Sequence, residues 1–249
     1  MNLRYITASD PREDTSIEDI IKLLNTSKLA ELGIQAHPSA MSAGYPRYVW
    51  FNNLLDVLKR AKQKYNIALH INYKWCDSMC GGIIPVEIKH FLSQTHIETG
   101  KPLVQRVQLN IGDDTYKFKA DAVAKIISEN KKHEFIFPYN KATKRTIDKL
   151  EKTSAKFNLL FDGSYGAGIS PKSWQKPAKQ DIQFGYAGGI SPENVSDNLT
   201  KISQILPEDY KTWIDAEGRL RNPDTCTFDV NYAQNYLDNA IKWIKQNKR

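Results

Sequence analysis

Eight short apolar segments alternate along the chain with stretches whose apolar residues recur at helical spacing. The strand candidates are residues 3–7, 30–36, 67–72, 104–111, 133–139, 157–162, 181–186 and 211–215. The helix candidates are residues 16–24, 49–64, 85–93, 120–129, 142–153, 192–205 and 230–245. A helix therefore follows every strand except the sixth, after which the segment 163–180 is rich in Gly, Lys and Pro. This alternation predicts a parallel sheet, because parallel neighbours need a crossover that a helix usually supplies.

The number of strands points to a closed sheet. Eight strand–helix units in 249 residues are typical of a single (β/α)8 barrel, the TIM barrel, and a doubly wound open sheet is the alternative. We find no linker, low-complexity tract or short repeat, so we expect one domain spanning residues 1–249. In a barrel, functional groups lie at the carboxyl ends of the strands and in the loops that follow them.

Composition narrows the class of partner. The chain has 35 Lys and Arg against 28 Asp and Glu, a net charge of +7, and a mean hydropathy of −0.54. No apolar run is long enough to span a membrane, and the charged start of the chain is unlike a secretion signal, so we expect a cytoplasmic protein. The basic residues cluster on predicted helix faces without interleaved aromatic residues. This pattern predicts neither a nucleic-acid nor a membrane partner, although nucleic-acid binding remains an alternative. The oligomeric state is not determined by these features.

The cysteines are interpreted as thiols. Cys76, Cys80 and Cys226 cannot all pair within one chain, which suits a reducing compartment. Cys76 and Cys80 have C-x3-C spacing, but no second Cys/His pair lies at metal-ligand spacing. We therefore expect no metal site.

Glycines follow the seventh and eighth strand candidates. Gly188 and Gly189 allow a ligand to approach the backbone closely, and Ser191 with Pro192 predicts a helix that begins directly afterwards. Helix amino termini bind oxyanions. Gly218 lies in the loop after the eighth strand. Since barrels often bind phosphate between these two loops, we expect a small phosphorylated substrate here.

Several segments resemble phosphoribosylanthranilate isomerase, the barrel enzyme of tryptophan biosynthesis. The segment 187–195, AGGISPENV, resembles the family's AGGLxPENV, and 159–163, LLFDG, resembles its LLLDA. Residues 166–168 with Trp174 resemble its glycine-rich GGTG…FDW loop. Trp213, Ile214 and Asp215 with Gly218 resemble its DVxSGVE, and 46–49, PRYV, matches its SPRYV. The matches occur in family order between residues 30 and 220.

The resemblance implies an Amadori rearrangement, in which an aldose derivative becomes a ketose without a cofactor. The family's general acid is a strand-six Asp, to which Asp162 corresponds. Arg47 corresponds to the arginine that contacts the anthranilate carboxylate. Asp215 is expected either to hydrogen-bond the substrate or to hold the loop that contains Gly218.

The general base is the point at which the chain departs from the family. Thr7 stands where the family has a cysteine, and a hydroxyl has no thiolate-like ionised state near neutral pH. Candidates to supply the base are His37 after the second strand, Asp10 after the first, and the cysteines at 76 and 80. Two other functions stay open: a phosphate-binding barrel without catalysis, and an aldolase or epimerase in which Lys74 forms a Schiff base.

Overall fold

A computed structural model describes residues 1–112, 117–162, 168–177 and 181–247. Eight parallel strands close into a barrel, and their order around it follows the sequence. The strands are β1 (Asn2–Ser9), β2 (Ala30–Ala36), β3 (Asn66–Ile71), β4 (Arg106–Leu109), β5 (Glu134–Tyr139), β6 (Asn158–Asp162), β7 (Phe184–Ala187) and β8 (Lys211–Ala216). The predicted (β/α)8 TIM barrel is confirmed, and the open sheet is excluded.

The helices follow the predicted alternation. They are α1 (Ile17–Asn25), α2 (Pro38–Met41), α3 (Pro46–Lys59), α4 (Tyr73–Cys80), α5 (Val86–Ser93), α6 (Ala120–Glu129), α7 (Lys144–Leu150), α8 (Val195–Ile205) and α9 (Val230–Asn247). The sequence did not predict α2, which has only four residues, or α4. In the described part of the segment 163–180, residues 168–177, no helix forms; the remainder lies outside the described residues.

Contacts divide the chain into two compact units, residues 1–33 with 160–249 and residues 34–159. The expectation of a single domain spanning 1–249 stays a prediction. Among the described residues, none of the helices combines the length and the apolar character that crossing a membrane requires.

The first unit is organised by the pairing of β1, β8 and β7. Thr7 lies opposite Asp215 on β8, which in turn lies opposite Ala187 on β7. The indole of Trp213 is 1% exposed, and a Cβ placed on Gly185 would lie 2.0 Å from it. Only a glycine leaves room for this ring, so the small residue on β7 and the large one on β8 form one packing unit.

Helix α1 shows how local sequence positions an element of the same unit. The Ser16 hydroxyl accepts a hydrogen bond from the Asp19 amide, as an N-cap does. Glu18 and Asp19 place negative charge in the first turn, which the helix dipole favours. The residues that α1 buries are Ile20, Leu23 and Leu24, all on one face.

The second unit has its own core. Strands β3, β4 and β5 are in register through Ala68 opposite Arg106 and Val107 opposite Phe135. Helices α3 and α5 meet through Phe51 and Phe91, whose rings pack edge to face with centroids 4.9 Å apart.

Candidate functional site

The carboxyl ends of β1 and β8 place polar side chains side by side. The strands are paired up to Ala8 and Ala216, so the residues that follow leave the sheet as neighbours. The Ser9 hydroxyl donates to Asp215 Oδ1 at 2.7 Å. Ser9 is fully buried and Asp215 is 7% exposed. Asp215 is therefore held from β1.

Asp10 is the buried anchor of the loop after β1. Its φ angle is +74°, a left-handed conformation that few residues other than glycine adopt, although Asp and Asn tolerate it best. Its Oδ2 atom accepts from Arg12 Nη2 at 2.7 Å and from Arg221 Nη2 at 2.8 Å. The side chain is 3% exposed, whereas those of the two arginines are about one-third exposed. Two guanidinium groups thus hold one carboxylate at the edge of the barrel.

Glu217 belongs to the same cluster. Arg221 Nη2, which contacts Asp10, also donates to Glu217 Oε1 at 2.8 Å. Burial raises the pKa of Glu217 to about 7, and the negative charges of Asp10 and Asp215 act in the same direction. Arg221 and Arg12 oppose this shift. A carboxyl group with a pKa near neutral pH both accepts and gives up protons readily.

Sequence reasoning named Asp10 and Asp215 but missed Glu217 and Arg221. The spacing of Glu217 was a signal. It lies two positions after Asp215, and residues i and i+2 of an extended segment point to the same face. The sequence gave no signal for the contact of Arg221 with Asp10, which is 211 positions away.

The turn after β7 is tightly supported. Gly188 and Gly189 have φ angles of +110° and +63°. A Cβ on Gly189 would lie 2.2 Å from the Ser170 amide nitrogen, so no side chain fits there. The Gly189 carbonyl accepts from Ser170 Oγ at 3.0 Å and from Asn194 Nδ2 at 2.8 Å. The segment around Ser170 and the side chain of Asn194 therefore fix the turn from two sides.

The helix after this turn begins later than the sequence predicted. Helix α8 starts at Val195, not at Pro192, and residues 192–194 form a turn. The Asn194 side chain explains the delay, because its Oδ1 accepts from the Ser191 amide at 2.8 Å and closes a local loop. The Ser191 amide is thus occupied. In the described part of the chain, the Gly188 and Gly189 amides make no turn or loop hydrogen bond to another backbone group.

The loop after β8 adds a cation next to this turn. Gly218 begins a short 3₁₀ helix, Gly218–Leu220, and a Cβ on Gly218 would meet nothing within 4 Å. Arg219 is exposed and its Nε donates to the Gly168 carbonyl at 3.2 Å. Gly168 lies two positions before Ser170, the residue that contacts Gly189. The three predicted phosphate-binding glycines therefore belong to neighbouring loops of one unit.

Asp162 ends β6 in the same unit. It is half-buried and follows Phe161, which packs edge to face against Trp174 and Tyr186 at centroid distances of 5.9 and 6.3 Å. The aromatic cluster fixes the end of β6, and Asp162 is the polar residue at its rim. Gly163, which the resemblance included, lies outside the described residues, as do residues 166 and 167.

Thr7 lies in the interior below this rim. It is 1% exposed, and its hydroxyl donates to Glu31 Oε1 at 2.7 Å. Glu31 lies opposite Thr7 on β2 and is also 1% exposed. The hydroxyl at the position of the family's cysteine therefore serves a buried hydrogen bond.

His37 and Arg47 belong to the second unit. His37 precedes α2, with its Nδ1 atom 2.8 Å from Ser39 Oγ and its ring edge-on to Tyr73. Arg47 lies in the first turn of α3, directly after Pro46, and is 8% exposed. His37 directly follows the end of β2, whereas Arg47 lies beyond α2, and their roles stay predictions.

The second unit also contains the cysteine pair. Cys76 and Cys80 are buried on one face of α4, with their sulfur atoms 4.0 Å apart, and they line a cavity of about 220 Å³. The hydrogen bond with Cys80 and burial raise the pKa of the Cys76 thiol.

Cys226 is exposed, and all three cysteines are free. Lys74, the Schiff-base candidate, is exposed at the start of α4. Among the described residues, no three His, Cys, Asp or Glu side chains group as metal ligands would.

Comparison with known proteins places the chain in no family. No protein-family model matches it, and no curated protein does. Among solved structures, that of KGPDC from Streptococcus mutans, determined in complex with a ligand, is similar, with 12% identity and a TM-score of 0.45 over 97% of this chain and 98% of that one. A similarity at this level assigns neither an activity nor a substrate.

Proposed function

We propose that the chain is an isomerase similar to phosphoribosylanthranilate isomerase, which converts a phosphorylated aldose derivative into a ketose. The main supporting observation is that two glycine-containing loops, which follow the paired strands β7 and β8, lie near the carboxyl group of Glu217. The pKa of this group is raised to about 7. Anion binding and proton transfer are the two functions that such a reaction requires. The proposal takes residues 1–249 as one cytoplasmic domain. It requires no cofactor, since the rearrangement is an internal redox change.

The phosphate is proposed to bind at Gly188, Gly189 and Gly218. The amides of the first two make no loop hydrogen bonds to other described backbone groups, and the space around the Cα atom of Gly218 is open. Backbone N–H groups and the nearby guanidinium group of Arg219 are suited to bind an oxyanion. These local groups favour an anion more specifically than the net charge of the chain does. The sequence predicted that the phosphate would bind at the amino terminus of a helix. The proposed site lies instead at the turn before α8, which the Asn194 side chain closes.

Asp162 is proposed as the general acid. It protonates the ring oxygen of the sugar. The bond from carbon 1 to the ring oxygen breaks as the nitrogen lone pair forms a C=N bond, which leaves a protonated imine at carbon 1. The position of Asp162 at the carboxyl end of β6, in the same unit as the glycine loops, supports this role. Asp215 is proposed to bind a substrate hydroxyl or to hold the β8 loop, and its hydrogen bond from Ser9 favours the second role.

Arg47, His37 and Thr7 complete the proposed set. A guanidinium suits a carboxylate on the substrate, so Arg47 is assigned to the aromatic acid that the family's substrate contains. His37 is a candidate for proton transfer, because an imidazole titrates near neutral pH. Thr7 is assigned to holding Glu31 in the barrel interior, which is how its hydroxyl is used.

Two assays on the full chain test the proposal. Titration with inorganic phosphate, followed by calorimetry, is expected to give saturable binding that Gly218→Asp abolishes. Turnover of phosphoribosylanthranilate is expected to fall about 10²- to 10⁴-fold in Asp162→Asn. Asp209→Asn, an exposed residue in the turn before β8, is the matched control and keeps wild-type turnover. Phosphate binding without turnover at high enzyme concentration contradicts the isomerase.

That last outcome supports a second candidate, a phosphate-binding barrel without catalysis. The observation that favours it is Thr7, whose hydroxyl replaces the family's cysteine and already donates to Glu31. The two candidates share the phosphate site and differ only in proton transfer. A group able to remove a proton from carbon 2 therefore decides between them.

A further inference from the structure

We infer that Glu217 is the general base of this site, removing the proton from carbon 2 of the bound sugar in place of the family's cysteine. The inference rests on the proposed isomerase function and goes further by assigning its base. It is carried by where Glu217 lies, which groups surround it and how accessible it is.

Glu217 is the accessible member of a group of three carboxylates. Its side chain is 41% exposed, whereas Asp10 and Asp215 are 3% and 7% exposed. It directly precedes Gly218, the proposed phosphate ligand of the β8 loop. The remainder of a sugar whose phosphate binds at that loop is therefore proposed to lie near the Glu217 carboxylate.

Neighbouring charged groups determine how readily Glu217 is protonated. The groups that act on it are the carboxylates of Asp10 and Asp215 and the guanidiniums of Arg12 and Arg221. The two carboxylates favour its protonated form, and the two guanidiniums oppose it. Asp10 is held by both arginines, and Asp215 accepts from Ser9. Burial and the two neighbouring carboxylates outweigh the two guanidiniums, so the pKa of Glu217 is raised.

Arg221 fixes the position of this base. Its Nη2 atom donates to Glu217 Oε1 and to Asp10 Oδ2, each at 2.8 Å. The carboxylate is thus tied to the buried anchor of the loop after β1 and does not swing freely into solvent. Arg221 acts through Glu217 and is a positioning residue.

The chemical step balances with the groups at hand. After ring opening, the Glu217 carboxylate takes the proton from carbon 2, and the C–H bond breaks. Its electron pair forms the double bond between carbons 1 and 2, while the π electrons of the protonated imine move to the nitrogen and neutralise its positive charge. The resulting enaminol tautomerises to the ketone, and the protonated Glu217 returns its proton to solvent. Carbon 2 is oxidised and carbon 1 is reduced, so no external oxidant is needed.

Thr7 and Cys76 are less well placed than Glu217 to act as the base. The Thr7 hydroxyl is buried against Glu31, and a threonine has no accessible ionised form near neutral pH. Cys76 is buried and its pKa is raised, which reduces the thiolate that would act as a base. Glu217 combines access to solvent with a pKa near the working pH.

The test compares Glu217→Gln with wild type in turnover of phosphoribosylanthranilate across pH 5–9. We expect kcat to fall about 100-fold or more, with binding of inorganic phosphate no weaker than in wild type. The acidic limb of the wild-type pH profile, near pH 7, is expected to disappear, and Glu217→Asp is expected to recover part of the rate. Glu208→Gln, an exposed residue before β8, is the control and keeps the wild-type profile.

The outcomes separate the two proposals. An active wild type with Glu217→Gln within about threefold in kcat overturns the assignment of Glu217 and leaves the isomerase standing. A wild type that binds phosphate but shows no turnover overturns the isomerase, and the role of Glu217 falls with it. Loss of phosphate binding in Glu217→Gln, with the protein still folded, also overturns the assignment, because it makes Glu217 part of the anion site.

Discussion

Arg221 donates from Nη2 to Asp10 Oδ2 at 2.8 Å and so joins two residues that are 211 positions apart in the chain. The contact ties the loop after β8 to the loop after β1, which are neighbours because the two strands are paired. Arg12 contacts the same oxygen from the β1 side. The carboxylate of Asp10 therefore joins the loops that follow β1 and β8.

Asp10→Asn tests this role. Asparagine tolerates a positive φ angle, so the substitution removes the charge without a new backbone strain. We expect the free energy of unfolding to fall by about 2 kcal/mol, below the usual loss for a fully buried pair because both arginines are partly exposed. Urea unfolding measures this. Asp224→Asn, an exposed loop residue, is the control and is expected to stay within about 0.5 kcal/mol of wild type.

Asp10→Asn is also expected to lower the pKa of Glu217. The negative charge of Asp10 is one of the causes that raise it, and its loss frees two guanidiniums to stabilise the Glu217 carboxylate. Isotope-edited NMR titration of the glutamate carboxyl carbons measures the change. A Glu217 pKa that stays near 7 in Asp10→Asn would contradict the electrostatic coupling.

The raised pKa of Glu217 predicts how stability depends on pH. In the unfolded chain a glutamate loses its proton near pH 4.3, whereas Glu217 in the folded protein retains it up to about 7. Between these values the folded state binds more protons, so the contribution of Glu217 to the free energy of unfolding falls as pH rises. Glu217→Gln lacks this loss and should gain stability relative to wild type from pH 4.5 to pH 8. Parallel stability curves for the two proteins would contradict the shift.

The barrel was readable from sequence because its signals are local. Each strand is a short apolar run, and helices such as α6 and α9 repeat their apolar residues at helical spacing, so the alternation survives errors of a few residues at element ends. The glycines at 188, 189 and 218 were likewise found from local patterns. Their environment is now specific: a supported turn for the first two and an open position for the third.

The missing parts depend on side-chain partners. The start of α8 at Val195 follows from the Asn194 side chain, whose hydrogen bond to Ser191 competes with an earlier first turn. The arginine pair on Asp10 depends on the pairing of β1 with β8, which brings distant loops together. Apolar spacing contains no information on either contact, so the candidate base at 217 was not identified.

The cysteines predict a simple pattern of thiol reactivity. Cys226 is exposed, whereas Cys76 and Cys80 are buried, and the pKa of Cys76 is raised. Because the thiolate is the reactive form, a chromogenic thiol reagent is expected to modify one thiol rapidly in the folded protein and all three after unfolding. Cys226→Ser should remove the rapid phase and leave the other two thiols unchanged. Rapid modification of a second thiol in the folded state would show that α4 opens or that its cysteines are accessible.

The turn at Gly189 gives the sharpest test of the proposed phosphate site. A Cβ added there would lie 2.2 Å from the Ser170 amide nitrogen, and the φ angle of +63° disfavours any side chain. The added Cβ would clash with a backbone atom, which cannot turn away as a side chain can, so the loop must move. We expect Gly189→Ala to lower the free energy of unfolding by about 1–3 kcal/mol and to weaken phosphate binding. Gly218→Ala is the steric control, since its Cβ meets nothing within 4 Å, and its stability should match wild type within about 1 kcal/mol. Urea unfolding of both variants and phosphate calorimetry on Gly189→Ala measure these effects, and equal stabilities of the two variants would show that the segment at Ser170 does not hold the turn.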